Sequence, residues 1–130
     1  MIAWCTYCSS DKRTDPGRIP AIDRYLDVRI QDLATQAEEA GAAFLILSGE
    51  YGLLRPEDPI PWYDHLLRTE EVDALVERVA AQMKDLSVTS IVWHTVDSAH
   101  DPQVLPYQET IARASHRVGV SLKTATLPLS

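Results

Sequence analysis

Apolar residues along this chain fall into four short unbroken runs. Between them lie longer stretches in which apolar positions recur every three or four residues, a pattern that predicts strands alternating with helices. Met1 to Thr6 reads as a buried strand running into a polar loop. Pro16, Gly17 and Pro20 then keep a helix from starting before about Ala21. From there Ile22, Tyr25, Leu26, Leu33, Ala37 and Ala40 share one helical face, and Gly41 supplies a left-handed stop. Ala43 to Leu47 is too short and too uniformly apolar for anything but a strand covered on both faces, which predicts the central strand. Glu50 to Leu67 holds Pro56, Pro59 and Pro61 and reads as an ordered irregular loop. Thr69 is placed to cap a second helix whose core face is Val72, Leu75, Val76, Val79 and Met83. Ser90 to His94 is a third strand, Pro106 to Arg117 a helix stopped at Gly119, and Val120 to Leu127 a fourth strand.

Helical crossovers between successive strands join parallel strands. The expected fold is therefore a single α/β domain over residues 1–130, a three-layer sandwich with a four-stranded, mostly parallel sheet of Rossmann-like or flavodoxin-like type. Ligands of such sheets bind beyond the carboxyl ends of the strands. That rule selects Cys8 to Lys12, Ser48 to Asp64, His94 to Asp97 and Thr124 to Thr126.

Composition narrows the function classes. A formal net charge of −7 opposes a phosphate backbone, so binding of duplex nucleic acid through a basic face is disfavoured. No run approaches the roughly 18 apolar residues of a membrane span, and the opening residues lack a basic leader, so a cytoplasmic protein with no membrane partner is expected. No cofactor is expected, and a homo-oligomer is left open.

Trp4-Cys5-Thr6-Tyr7-Cys8 has the spacing of a redox motif, but a thioredoxin-type site needs a helix starting inside the motif, which the prolines block. One Cys-x-x-Cys pair with scattered histidines does not complete a zinc site, so no metal is expected, and Cys5 reads as core. Ser48-Gly49-Glu50-Tyr51-Gly52 places a carboxylate and a phenol between glycines where a strand ends. Glu50 there is either a general base, an acid or a hydrogen-bond acceptor for a ligand, or a solvated turn residue. Trp62, Tyr63 and Asp64 could stack on a planar ligand and fix its polar edge, or pin the loop to the body. His94, ending a buried strand, is either a hydrogen-bonded core histidine or a ligand contact.

Cys8-Ser9-x-x-Lys12, Leu47-Ser48-Gly49-Glu50-Tyr51-Gly52-Leu53-Leu54, Pro56 and Ile60-x-x-Tyr63-Asp64 follow one another in that order. This order resembles a family of small uncharacterised bacterial and phage α/β proteins. Their pattern runs Cys-Ser/Thr-x-x-Lys, a tyrosine opening the first helix (here Tyr25), Leu-Ser-Ala/Gly-Lys/Glu-Tyr-Gly-Leu and Pro-Tyr-Asp. The resemblance covers the first half of the chain. Trp62 replaces the proline before Tyr-Asp, and Glu50 stands where many members carry lysine. Similar segments occur in peroxide-stress proteins and in accessory domains of base-exchanging transglycosylases, which implies a nucleoside-like small-molecule ligand.

Two functions are expected from these residues. The first is a hydrolase or transferase acting on the N-glycosidic bond of a nucleoside, nucleotide or modified base. Glu50 or Asp64 would be catalytic, Lys12 would hold a phosphate or leaving group, and Tyr51, Trp62 and Tyr63 would frame the base. Cys8, Ser9, Tyr25, Ser48, Gly52 and His94 complete the expected binding set. The second is a non-catalytic nucleotide-sensing or partner-binding domain, motivated by the absence of a complete catalytic triad, metal set or Gly-rich phosphate loop.

Overall fold

The computed structural model describes residues 1–127. In chain order its elements are β1 (Ile2–Tyr7), β2 (Ile19–Pro20), α1 (Ala21–Arg24), α2 (Val28–Glu39), β3 (Ala43–Ser48), β4 (Gly52–Leu54), β5 (Pro59–Ile60), α3 (Val72–Asp85), β6 (Ser90–Thr95), α4 (Leu105–Val118) and β7 (Ser121–Thr126). Five strands form the main sheet in the order β4-β3-β1-β6-β7. All neighbours are parallel except β4, which returns antiparallel along β3 with Ser48 opposite Gly52. The predicted α/β class and parallel pairing hold, but the strand count is five, not four. The centre is β1, not the more uniformly apolar β3, because the chain crosses from β1 to β3 on one side and back past β1 to β6 on the other.

Period-two alternation divides the sheet residues between two apolar clusters. Ala3, Cys5, Leu45, Leu47, Ile91 and Trp93 pack with α3 and α4, where the predicted stripe of Val72, Leu75, Val76, Val79 and Met83 is buried. Phe44 and Ile46 pack instead with Ile30, Leu33 and Ala37 of α2. Cys5 is fully buried in the first cluster, and burial pushes its thiol far above the usual range, so it is an inert core residue.

Three local expectations are corrected. The single helix predicted from Ala21 to Ala40 is broken at Tyr25 to Asp27. Backbone groups that a continuous helix would use are taken by the preceding loop: Leu26 N–H donates to Asp11 O at 3.0 Å, and Arg24 O accepts from Arg13 N–H at 2.8 Å. Asp27 then caps α2 by accepting from Arg29 N–H at 2.9 Å, so Leu26 is exposed and Ile30 takes its place in the core. The entry to α3 is made not by Thr69 but by a short 3-10 turn, in which the Glu71 carboxylate accepts from Arg68 N–H at 3.0 Å. Finally, part of the predicted Glu50–Leu67 loop is β4, whose turn requires the left-handed φ of 74° at Gly52. Gln82 of α3 covers this edge: its Oε1 accepts from Leu53 N–H at 2.7 Å while its Nε2 donates to Tyr51 O at 3.1 Å.

The long loop from Ser9 to Arg18 is ordered by one buried side chain. Arg24 has 0% exposure, and its guanidinium donates to the carbonyls of Arg13 (2.7 Å), Asp15 (2.9 Å), Gly17 (2.8 Å) and Ile60 (3.1 and 3.3 Å). Carbonyl dipoles thus replace water around the cation. Arg24→Met would leave these buried carbonyls without their donor and should cost about 3 kcal/mol, a fall of roughly 10 °C in Tm. Arg24→Lys lacks the planar fork and should not restore it. Thermal and urea denaturation check this, and a loss below about 1 kcal/mol for Arg24→Met would remove the residue from that role.

Candidate functional site

Beyond the carboxyl ends of β1 and β6 lies a cleft of about 470 Å³. It opens where the crossovers leave β1 in opposite directions, the position at which parallel sheets bind ligands. Its walls come from the segment after β1 (Tyr7 to Lys12), the start of α2 (Asp27 to Arg29), Asp64 to Leu66, and the segment from Asp101 to Tyr107. A concavity of about 550 Å³ along α4 and β7 is larger but has Glu109 as its sole ionisable lining residue, and it lies off the strand ends.

Of the predicted site residues, Cys8, Ser9, Lys12 and Asp64 line the cleft. Lys12 is only 9% exposed and rests its Nζ 4.4 Å from the centre of the Tyr63 ring and 5.9 Å from that of Tyr25. Cys8 Sγ lies 3.8 Å from Tyr107 Oη, which itself accepts from Leu67 N–H at 3.2 Å. Asp64 is exposed and has no ion-pair partner among the described residues.

Tyr25, Ser48, Tyr51 and Tyr63 form a second group, reached from the cleft through Lys12. Ser48 Oγ accepts from the backbone N–H groups of Glu50 and Tyr51, both at 3.1 Å. With both lone pairs used, its own proton goes to Tyr63 Oη at 2.8 Å. Tyr63 Oη in turn shares a hydrogen bond of 2.5 Å with Tyr25 Oη, and the Tyr51 ring meets Tyr63 edge-on at 5.3 Å. Burial first, and the neighbouring Cys8 second, push the phenols of Tyr25, Tyr63 and Tyr107 well above the usual range, so they act as neutral hydrogen-bonding groups. Tyr25, Ser48 and Tyr63, one from each of three separated motifs, therefore meet through one hydroxyl chain, against which the Tyr51 ring packs. Gly49 sits tightly beside it, since a Cβ there would come within 3.1 Å of Leu67 Cβ and 3.3 Å of His65 O and the neighbouring chain would have to shift by a few tenths of an ångström.

Three predicted residues stand elsewhere. Glu50 does not itself line the cleft; its carboxylate meets Nδ1 of His65, a lining residue, whose Nε2 meets Glu71 at 2.7 Å. Trp62 is 52% exposed and does not line the cleft. His94 stacks on Trp4 at 4.6 Å, with its Nε2 buried and unpartnered among the described residues, and burial lowers its pKa.

The prediction missed Arg29, Tyr7, Tyr107 and His65. Arg29 pairs with Asp27 at 3.2 Å, donates to the Thr6 hydroxyl and to Tyr7 O at 3.1 Å, and lies 4.0 Å over the Tyr7 ring. Its signal was Asp27-Val28-Arg29, a cap followed by a cation, which becomes readable only once the helix is known to break there. Tyr7 and Tyr107 belong to a strand end and a helix start that nothing in their local pattern links.

The Glu50–His65–Glu71 bridge ties the segment carrying Asp64 to the turn after β3 and the entry of α3. The Glu50 hydrogen bond foremost, and Glu71 after it, raise the His65 pKa above its ordinary value of about 6.5. Its stabilisation is thus fully present below about pH 6.5 and lost as pH rises through the raised value, whereas the contribution of Glu71, whose pKa is lowered, fades in acid. The Tm difference between wild type and His65→Gln should therefore be largest near pH 6 and shrink towards pH 9, and remain small because solvent screens these partly exposed groups. A constant difference over that range would show that the bridge carries no charge-dependent stabilisation.

Comparison of the chain with protein-family models, curated proteins and solved structures finds no match.

Proposed function

We propose that the cleft beyond β1 and β6 is the site of a hydrolase or transferase acting on the N-glycosidic bond of a nucleoside, nucleotide or modified base. The observation that carries this reading is the presence in one cleft of a carboxylate without an ion-pair partner among the described residues, Asp64, a buried cation, Lys12, and the aromatic residues Tyr7 and Tyr107. The five-stranded order, taken as a three-layer, flavodoxin-like arrangement, supports it by putting that cleft at the switch point of the parallel strands.

In this reading a planar base lies against the cleft aromatics while Asp64 faces the sugar. Asp64 takes a proton from water or from an incoming base as that nucleophile bonds to C1′. The C1′–N bond breaks with its electron pair passing to the leaving base, which takes up a proton from solvent, and Asp64 returns its proton to solvent. The negative charge of Asp64 also stabilises the cationic character that develops on the sugar. Glu50 is engaged by His65 and acts by positioning the Asp64 segment.

A second reading, a nucleotide-sensing domain without turnover, is favoured by one observation. The hydroxyls of Ser48, Tyr25 and Tyr63 are engaged with one another behind the cleft, which suits a rigid backing for a recognition site.

Incubation with a panel of nucleosides, nucleotides and modified bases, followed by chromatography of free base, separates the two. Asp64→Asn should lower base release by about 10²-fold or more, and Glu50→Gln by less than about 10-fold. Release unaffected by Asp64→Asn would overturn the assignment of Asp64. Saturable stabilisation by a panel member without release would select the sensing domain.

A further inference from the structure

Besides His65, which is held between Glu50 and Glu71, two basic residues line the cleft, and their circumstances differ. Arg29 is engaged on every side, with the Asp27 carboxylate, the Thr6 hydroxyl, the Tyr7 carbonyl and the Tyr7 ring. Lys12 is not. It is only 9% exposed, yet its sole hydrogen bond among the described residues is a long one of 3.4 Å to Ser10 O. None of the ion pairs among the described residues involves it. Its remaining contacts are the faces of Tyr63 and Tyr25.

Taking an ammonium group out of water costs more than a cation–π contact returns. The unfilled donors of Lys12 therefore call for an anion, and Lys12 forms part of the cleft wall where one can reach it.

The surrounding charge limits what that anion can be. Asp11, Asp27, Asp64 and Asp101 line the same cleft. Asp27 is paired with Arg29 at 3.2 Å, and Asp101 accepts from the Gln103 N–H at 3.1 Å without a cationic partner among the described residues. One cation without an ion pair among the described residues thus shares the cleft with three carboxylates, Asp11, Asp64 and Asp101. A single phosphate can sit on Lys12, but a second or third would be driven towards those carboxylates. Like charges brought together in a cleft that partly excludes water repel more strongly than they would in bulk solvent. Sugar hydroxyls, by contrast, are donors that these carboxylates accept.

We propose that Lys12 is the anion subsite of the cleft and that it selects a sugar phosphate monoester. The preferred substrate class is then a nucleoside monophosphate, over the free nucleoside and over the di- or triphosphate. The nucleoside portion of this inference rests on the reading in the preceding section, while the anion subsite itself rests on Lys12 and the charges around it.

Calorimetric titration of the full chain with ribose 5-phosphate and with ribose tests the subsite without requiring any turnover. Ribose 5-phosphate should bind saturably and at least about 10-fold more tightly than ribose. Lys12→Met should abolish that preference, and Lys12→Arg should keep part of it. As competitors against ribose 5-phosphate, inorganic phosphate should be more effective than tripolyphosphate. Equal binding of the two sugars by the wild type, no binding of ribose 5-phosphate, or tighter competition by tripolyphosphate would overturn the proposal. These wild-type comparisons stand even if a Lys12 variant fails to fold. Base release measured alongside separates the two readings. A Lys12-dependent phosphate preference without release removes only the glycosidic reaction. Release that is equal for nucleosides and monophosphates, and unchanged in Lys12→Met, removes only the subsite.

Discussion

The buried guanidinium of Arg24 is the constraint from which the site follows. A loop rich in proline and glycine has few ways to satisfy its own carbonyls, and here Arg24 gathers those of Arg13, Asp15 and Gly17 around one planar fork and adds that of Ile60 from the opposite segment. The same closure brings β2 alongside β5, with Ile19 opposite Ile60. Lys12 and Tyr25 are paired by a backbone bridge just beyond this cluster. The position of Lys12 over the Tyr63 ring is thus set by a residue that contributes nothing to the cleft lining.

A second network fixes the other wall. Ser48 ends β3, Tyr63 sits in the proline-rich segment, and Tyr25 lies at the helix break, yet a single chain of hydroxyls joins them. Such a chain is directional, because Ser48 must donate once its lone pairs are filled by two backbone N–H groups. It explains why a tyrosine spaced far from the Ser-x-x-Tyr-Gly turn belongs with it. The family-like motifs are, on this structure, largely the framework behind the cleft, while Lys12, Cys8, Ser9 and Asp64 are the motif residues that line it.

Where hydrophobic period was strong, the sequence reading and the structure agree. The buried faces of α3 and the parallel strands emerge from residues that must avoid water, and the α3 stripe of Val72, Leu75, Val76, Val79 and Met83 is buried as its spacing requires. Where polar competition decides, the reading failed. The continuous helix over Ala21 to Ala40 kept its apolar spacing, but Asp27 capped a new start and the loop claimed the backbone of Arg24 and Leu26. The short β4 was hidden for a related reason. Its edge is satisfied by Gln82, some thirty residues away, and not by any strong strand preference of its own.

Local pattern thus determined by itself the α/β class, the parallel pairing and the edge at which chemistry-bearing residues gather, since periodicity and crossover geometry depend only on near neighbours along the chain. It also singled out Lys12 and Asp64. Only the tertiary structure decided that Glu50 turns to His65, that His94 stacks on Trp4, and that Arg29, Tyr7 and Tyr107 join the cleft. Those outcomes depend on which polar groups find each other across many residues of chain, and hydrogen bonds of that range leave no periodic trace in the order of the amino acids.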